Sequence, residues 1–374
     1  MYLQNFQILK PDFQTSQEHA LDWLAWAHSI VGEAPLEANF ARKLFARFAG
    51  REQRIAFRSY ELPLYGRYGE EAENLFRKAE NFPLSKRMEF FRETCEKKLD
   101  EFYRDETRPP QLLVHVTCTG YISPSAAQKI VVKKGWGRTT AIQHAYHMGC
   151  CAAFPAVRSA MGYLSSHLAR PEKGSSEARV DLVHNELCTL HLNPVDHSPE
   201  QMVVQSLFAD GHIRYQVTAN PPQGKHFEIL AVKEQLVENS SDAMTWKVDE
   251  RGFQMTLSRD VPERITGALG DFIGELEKEA GVELDPRKTI YAIHPGGPRL
   301  IDAIKKSLKL EDWQVQASLK VLRECGNMSS VTIPHIWSEL LGSAPAAPGT
   351  AWVISLAFGP GLTIFGSIMR RVVT

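Results

Sequence analysis

A chain of 374 residues is long enough for a large apolar core, arranged as one large domain or two to three smaller ones. Its 43 lysines and arginines face 44 aspartates and glutamates, a formal charge of -1, so neither nucleic acid nor an anionic membrane is expected as the main partner; a small molecule or another protein is. Six cysteines (Cys95, Cys118, Cys150, Cys151, Cys188 and Cys325) with no CxxC pair argue against a disulfide-rich scaffold and suit a reduced, cytoplasmic protein with buried thiols.

The opening MYLQNFQILKPDFQTSQEHA lacks a basic start followed by an apolar signal core. No stretch reaches about 18 uninterrupted apolar residues, so a soluble chain without a transmembrane segment is expected. HALDWLAWAHSIVG and NFARKLFARFAG space their apolar residues at three and four, and FFRETCEKKLDEFYRD alternates charge, so the first hundred residues read as helical. QLLVHVTCT (111–119) is a buried strand ended by Gly120, and PSAAQKIVVKK (124–134) a helix that starts at Pro124 and Ser125 and stops at Gly135. AAFPAVRSAMGYLSSHLAR (152–170) reads as helix, 182–192 and 207–219 as strands, and ANPPQGK (219–225) as a turn cluster marking a lobe boundary. Beyond it, FEILAVKEQLV, MTWKV and GFQMTLS are strand-like. RITGALGDFIGELEKEAG, IDAIKKSLKL and VQASLKVLREC are helical, and TIYAIH and AWVISLAF are short buried strands. Apolar strands mixed with helices predict an α/β fold with sheets covered by helices.

Three places join a reactive side chain to tight backbone. Gly149-Cys150-Cys151 puts two thiols at the mouth of a helix, where the dipole and unpaired N–H groups favour a thiolate and can lower its pKa below the free value of about 8.5. Adjacent cysteines before an apolar helix are more often core thiols, and nothing local separates Cys150 from Cys151. His294 closes a strand and is followed by the rigid Pro295-Gly296-Gly297 turn, and Asn327 with Ser329 follows Gly326 after a helix. A cysteine carrying an acyl group, with His294 and Asn327 aiming N–H donors at an oxygen that turns negative, would form a coherent division of labour. There is no GxxxxGK[ST] loop, GxGxxG or HExxH, and His144 with His147 beside the cysteines reads better as a helix face than as a metal site.

The letters resemble the type III polyketide synthases, the chalcone and stilbene synthase-like enzymes, and look closest to bacterial members. The likeness runs from about 110 to 365 through CTGYISPSAAQ (118–128), GCCAAFPAVR (149–158), LFADG (207–211), GFQMTLSRDVP (252–262), HPGGP (294–298), GNMSS (326–330) and FGPGLT (358–363). The resemblance implies a thiolase-like fold of two similar halves, each with a mixed five-stranded sheet covered by helices (αβαβα), and a homodimer. The halves would be 1–225, with the nucleophile, and 226–374, with the histidine and asparagine. It assigns the nucleophile to Cys150, leaving Cys151 a buried neighbour, and the catalytic partners to His294 and Asn327. Gly149, Gly296, Gly297, Gly359 and Gly361 would shape the supporting turns.

The implied chemistry is an acyltransferase reaction: an acyl-CoA starter on Cys150, decarboxylative condensation with malonyl-CoA, and ring closure. Coenzyme A thioesters would be the substrates, with no metal, no resident cofactor and no obligatory acyl carrier protein. Cys118, Thr119, Phe208, Trp246, Met255, Ser329 and Phe358 would line the cavity. Of the two gate phenylalanines of plant members, Phe208 is present and Met255 stands in the other place. Trp246 stands near a position that plant members keep small, and Ser123 where they carry a methionine that reaches across the dimer. Cys118, the softer gate and the apolar 351–369 segment favour a long-chain acyl-CoA giving alkylpyrones or alkylresorcinols. The alternatives are an initiating ketoacyl synthase that uses a carrier protein, and a non-catalytic acyl-binding scaffold.

Overall fold

The computed structural model describes residues 1–31, 35–49, 54–63, 65–77, 82–168, 178–343 and 350–373. Its strands are β1 (Tyr2–Leu9), β2 (Phe13–Ser16), β3 (Phe57–Tyr60), β4 (Leu112–Thr117), β5 (Ala141–Tyr146), β6 (Arg179–Leu187), β7 (Asp210–Thr218), β8 (His226–Leu236), β9 (Met244–Asp249), β10 (Gly252–Leu257), β11 (Ile290–Ile293), β12 (Thr350–Gly359) and β13 (Thr363–Val372). The helices are α1 (Gln17–Ile30), α2 (Ala38–Ala49), α3 (Glu70–Arg77), α4 (Leu84–Phe102), α5 (Ala126–Lys133), α6 (Ala153–Leu168), α7 (Pro199–Leu207), α8 (Val261–Ala280), α9 (Pro298–Leu308), α10 (Gln316–Cys325) and α11 (Thr332–Gly342). None is long and apolar enough to cross a membrane among the described residues.

Among the described residues, nine strands form one mixed sheet in the order β11-β12-β13-β8-β1-β7-β6-β4-β5. β4, β6, β7 and β1 pair parallel, antiparallel and antiparallel in turn. β11, β12, β13 and β8 repeat that pattern. The architecture is the expected thiolase-like α/β arrangement. β5 adds a fifth strand to the first set, whereas the second has four among the described residues, and the sets are joined where Tyr2 and Leu3 pair with Glu228 and Phe227.

The sequence explains the layers. β4 reads LLVHVT and is buried at every residue, as a strand covered by helices on both faces must be. On one side, α1, α4 and α5 contribute Trp23, Phe91 and Ile130 to a core with Leu113 and Val183. α8 and α9 cover the other set through Phe272, Leu276 and Ile304, against Ile354 and Ile368. Between them, α6 and α11 share a core with residues from both sets of strands. Ala153, Ala156 and Ala160 of α6 are fully buried, and their small side chains let that helix sit close to its neighbours. α5 starts as expected, with Ser125 capping it and Gln128 answering in a capping box.

Some expected boundaries shift. Among the described residues, the first hundred carry α1, α2, α3 and most of α4, but also β1, β2 and β3. The strand expected over 182–192 ends at Leu187 and turns into a 3-10 segment (Cys188–His191), and the one expected from 207 starts at Asp210, after α7. The sheet does not end at β12, since β13 pairs with it along its whole length. The last two residues of the helix expected over 152–170 lie outside the described residues.

Candidate active site

The two turns that open the central helices meet. Gly149–Cys151 forms a 3-10 turn leading into α6, and Ser329–Val331 forms another leading into α11. Gly149 has φ +67°, and a Cβ built on it would lie 2.7 Å from Cδ of Pro360, so a side chain is disfavoured by both backbone and space. The turn separates the adjacent thiols. Cys151 donates to the Met148 carbonyl at 3.1 Å and packs on Gly359, where a Cβ would approach its Sγ to 2.3 Å. Cys150 lines a cavity beside Ser329, and the side chains of Ser329 and Asn327 act on it as donors that favour the thiolate.

Asn327 is held from both sides. It bridges Phe208: its N–H donates to the Leu207 carbonyl at 3.0 Å, and its own carbonyl accepts from the Ala209 N–H at 2.8 Å. Its Oδ1 accepts from the Ser329 N–H at 2.9 Å, which leaves the amide N–H donors for Cys150. Ser329 has φ +50°, a strained conformation for a side chain and one that gathers at functional sites.

His294 follows β11 as Cys118 follows β4, and its N–H donates to the Leu356 carbonyl at 2.8 Å. Its ring is buried, and neither nitrogen hydrogen-bonds a described residue, Cys150 included. Burial pushes its pKa down to about 3. Burial likewise pushes Cys150 up to about 12, although the Ser329 and Asn327 hydrogen bonds pull it down; the Glu186 charge adds to the rise. This corrects the expectation of a helix-mouth thiol with a lowered pKa: desolvation outweighs the dipole and the two donors. Burial, the first cause in both cases, thus favours the neutral form of each group.

The cavity is lined by Cys118, Thr119, Gly149, Cys150, Cys188, Phe208, Met244, Trp246, Met255, Ser329 and Pro360. Its volume of about 20 Å³ is room for roughly one water. Six of the seven residues expected on its wall are there. Phe358 is not: it is buried within β12 in the core beneath α8 and α9. Gly296 and Gly297 stand in the turn into α9 without left-handed φ, so the conformational demand falls on Gly149 and on Gly361 at φ +77°. The β9–β10 hairpin carries three of the walls. Trp246 Nε1–H donates to the Cys118 carbonyl at 2.6 Å, His147 Nε2 meets the Trp246 carbonyl at 2.9 Å, and Gln201 donates to the Met255 carbonyl. His144 meets the Ser125 hydroxyl at 2.8 Å, and among the described residues no group of three or more His, Cys, Asp or Glu side chains is placed to hold a metal ion.

Sequence reading missed Cys188, Met244 and Pro360 on the wall, and Glu186 behind it. The signal for Glu186 was there: a lone carboxylate inside the strand candidate LVHNELCTLHL. Fully buried, it accepts from the Cys118 N–H at 3.0 Å, the Thr119 hydroxyl at 2.8 Å, the Thr117 hydroxyl at 3.3 Å, the Cys118 thiol at 3.4 Å and the Ser330 hydroxyl. It thereby ties the loop after β4 to the turn before α11. Burial pushes its pKa up against these donors.

The fold and the site together define a thiolase-like protein with a cysteine presented at the mouth of a central helix. Residues 228–373 match the family "Chalcone and stilbene synthases, C-terminal domain". The chain is 29% identical over 267 residues to "Alpha-pyrone synthesis polyketide synthase-like Pks18" of Mycobacterium tuberculosis, covering 70% of this chain and 65% of that protein. It is 28% identical over 267 residues to "Probable polyketide synthase 1" of Dictyostelium discoideum, covering 70% of this chain but 8% of that protein. It thus spans less than two thirds of either relative. The C-terminal type III polyketide synthase domain of Steely1, from Dictyostelium, superposes with a TM-score of 0.84 at 23% identity, over 100% of this chain and 99% of that one. The match is to type III polyketide synthases, with bacterial and eukaryotic relatives at similar identity.

Proposed function

We propose that the chain is a type III polyketide synthase of the bacterial kind, with residues 1–225 carrying the nucleophile and 226–374 the histidine and asparagine. An acyl-CoA starter passes to Cys150, forming a thioester and releasing the CoA thiol. Malonyl-CoA then loses carbon dioxide, and donors from His294 and Asn327 hold the enolate oxygen. The carbanion attacks the thioester and lengthens the chain by two carbons; repeated rounds end in ring closure. A neutral imidazole suits this role, because it can donate one N–H to the enolate without carrying charge of its own. The observation that carries the reading is Cys150 set against Asn327 and Ser329 where the central helices meet. The working form is a cytoplasmic homodimer acting on coenzyme A thioesters, without metal or carrier protein.

For the starter we infer a long-chain acyl-CoA giving an alkylpyrone or alkylresorcinol. The apolar wall of Phe208, Met244, Trp246 and Met255 supports this, and unbranched methionines can swing aside for a tail. The small cavity favours a second reading, a short or aromatic starter. Incubating the protein with malonyl-CoA and a series of acyl-CoA lengths tests both. Acylation of Cys150 and a cyclised, multiply extended product are expected, with the preferred length choosing between the starters. An absolute demand for carrier-bound malonate would make the chain an initiating ketoacyl synthase; no acylated Cys150 and no decarboxylation would make it an acyl-binding scaffold. Cys150→Ala abolishes extension, and His294→Ala or Asn327→Ala lowers decarboxylation by roughly 3 kcal/mol, about a hundredfold.

A further inference from the structure

The last turn of α7 leads into Phe208, and the carbonyls at a helix end have no partners within the helix. Groups from elsewhere fill them. The Gln205 carbonyl accepts from Arg58 Nη1 at 2.6 Å, the Ser206 carbonyl from Gln17 Nε2 at 2.8 Å, the Leu207 carbonyl from the Asn327 N–H at 3.0 Å and the Phe208 carbonyl from Arg58 Nη1 at 3.0 Å. Arg58 comes from β3, is 1% exposed and brings a positive charge to the negative end of the helix. Its Nε and Nη2 find no hydrogen-bond partner among the described residues, so one nitrogen carries the whole contact. The same side chain abuts the residue before Asn327. A Cβ built on Gly326, at φ +74°, would lie 3.3 Å from Cγ of Arg58 and 3.2 Å from the Leu207 carbonyl oxygen.

The other end of α7 holds the opposite wall. Gln201 donates to the Met255 carbonyl and Glu200 accepts from the Leu257 N–H, so β10 hangs on the first turn of the helix while Phe208 stands just past the last. Phe208 and Met255 both line the cavity beside Cys150, so one short helix spaces the two gate residues. We propose that Arg58 is a positioning residue that holds Phe208 and Asn327 together at the end of α7, and thereby sets both the length of starter admitted and the rate of malonyl-CoA decarboxylation. It is not part of the cavity wall and acts through the backbone of these residues. Without it two buried carbonyls lose their donor, the last turn frays, Phe208 is free to move away from Met255, and the Asn327 amide loses its aim.

The proposal rests on the polyketide synthase reading, and the test keeps the two apart. Malonyl-CoA decarboxylation is counted per folded molecule, with folding read from circular dichroism and the urea midpoint, and the products from a series of acyl-CoA lengths are weighed by mass spectrometry. Arg58→Met removes the donor at similar bulk, so kcat falls about tenfold to a hundredfold and the range of accepted lengths widens. Arg58→Lys returns one cationic nitrogen, which is all that the two carbonyls use. It restores kcat to within about fivefold of the unsubstituted protein, together with the original length range. A lower urea midpoint with kcat and lengths unchanged would make Arg58 merely structural and overturn the proposal, as would equal losses in the Met and Lys variants. If the unsubstituted protein neither decarboxylates malonyl-CoA nor carries an acyl group on Cys150, the polyketide synthase reading fails and the role of Arg58 with it. If it does both and Arg58→Met leaves rate and lengths untouched, only the role of Arg58 fails.

Discussion

One hydrogen atom at Gly149 decides whether the Cys150 turn can form. Replacing it by a methyl group meets Pro360 at 2.7 Å and also holds an L side chain at φ +67°. Gly149→Ala should cost about 1–3 kcal/mol in a urea midpoint and slow Cys150 acylation more than it alters global stability. Local residue types could not choose between Cys150 and Cys151, since both precede one helix; the family register chose, and the geometry supplies a reason. The Cys151 proton is engaged by the Met148 carbonyl, whereas Cys150 meets Asn327 and Ser329. The protonation state was not legible. A helix mouth can be read from a glycine and a run of small residues, but burial by residues more than a hundred positions away cannot.

The hairpin of β9 and β10 is the element with most influence over what enters. It stands outside the main sheet and pairs Met255 with Trp246 and Met244 with Leu257, so three bulky walls ride on one two-stranded unit. Trp246→Ala removes the indole and its bond to the Cys118 carbonyl. It should shift the starter profile toward longer chains, each added methylene gaining up to about 0.8 kcal/mol in kcat/KM, roughly fourfold. An unchanged length profile would mean that the wall lies elsewhere. Both hairpin strands were legible, as MTWKV and GFQMTLS. β5 was not, because AIQHAY runs at the sheet edge, is nowhere fully buried and carries no apolar run. β1 escaped for a related reason: YLQNFQIL mixes Gln4, Asn5 and Gln7 among its apolar residues, although Leu3 is fully buried at the seam of the sheet.

Across the whole molecule, neutral histidines set the acid limit. His28, His115 and His335 are pushed down to about 4, and His184, His191 and His294 to about 3, in each case chiefly by burial. With folded pKa values below the unfolded value of about 6.5, their contribution is complete above that pH and is lost as pH falls from there toward 4 and 3. Each supplies a slope of about 1.4 kcal/mol per pH unit. Six together exhaust a typical 5–15 kcal/mol of stability within about two pH units. Urea midpoints should hold near neutrality and collapse around pH 5; midpoints that stay level down to pH 4 would contradict this account. The α/β class was legible because strand and helix runs alternate on either side of ANPPQGK. The single continuous sheet was not, since it depends on β1 pairing with β7 and β8 some two hundred residues further along.

That pairing also governs assembly in time. The Gln4 side chain of β1 donates to the Thr218 hydroxyl of β7, 214 positions along the chain, and Tyr2 and Leu3 also pair with β8. β1 therefore leaves the ribosome about two hundred residues ahead of the strands it pairs with, and waits exposed until β7 and β8 follow. Contacts of such sequence separation make folding slow and leave a bare strand edge open to aggregation. Recovery after dilution from denaturant should accordingly fall as protein concentration rises.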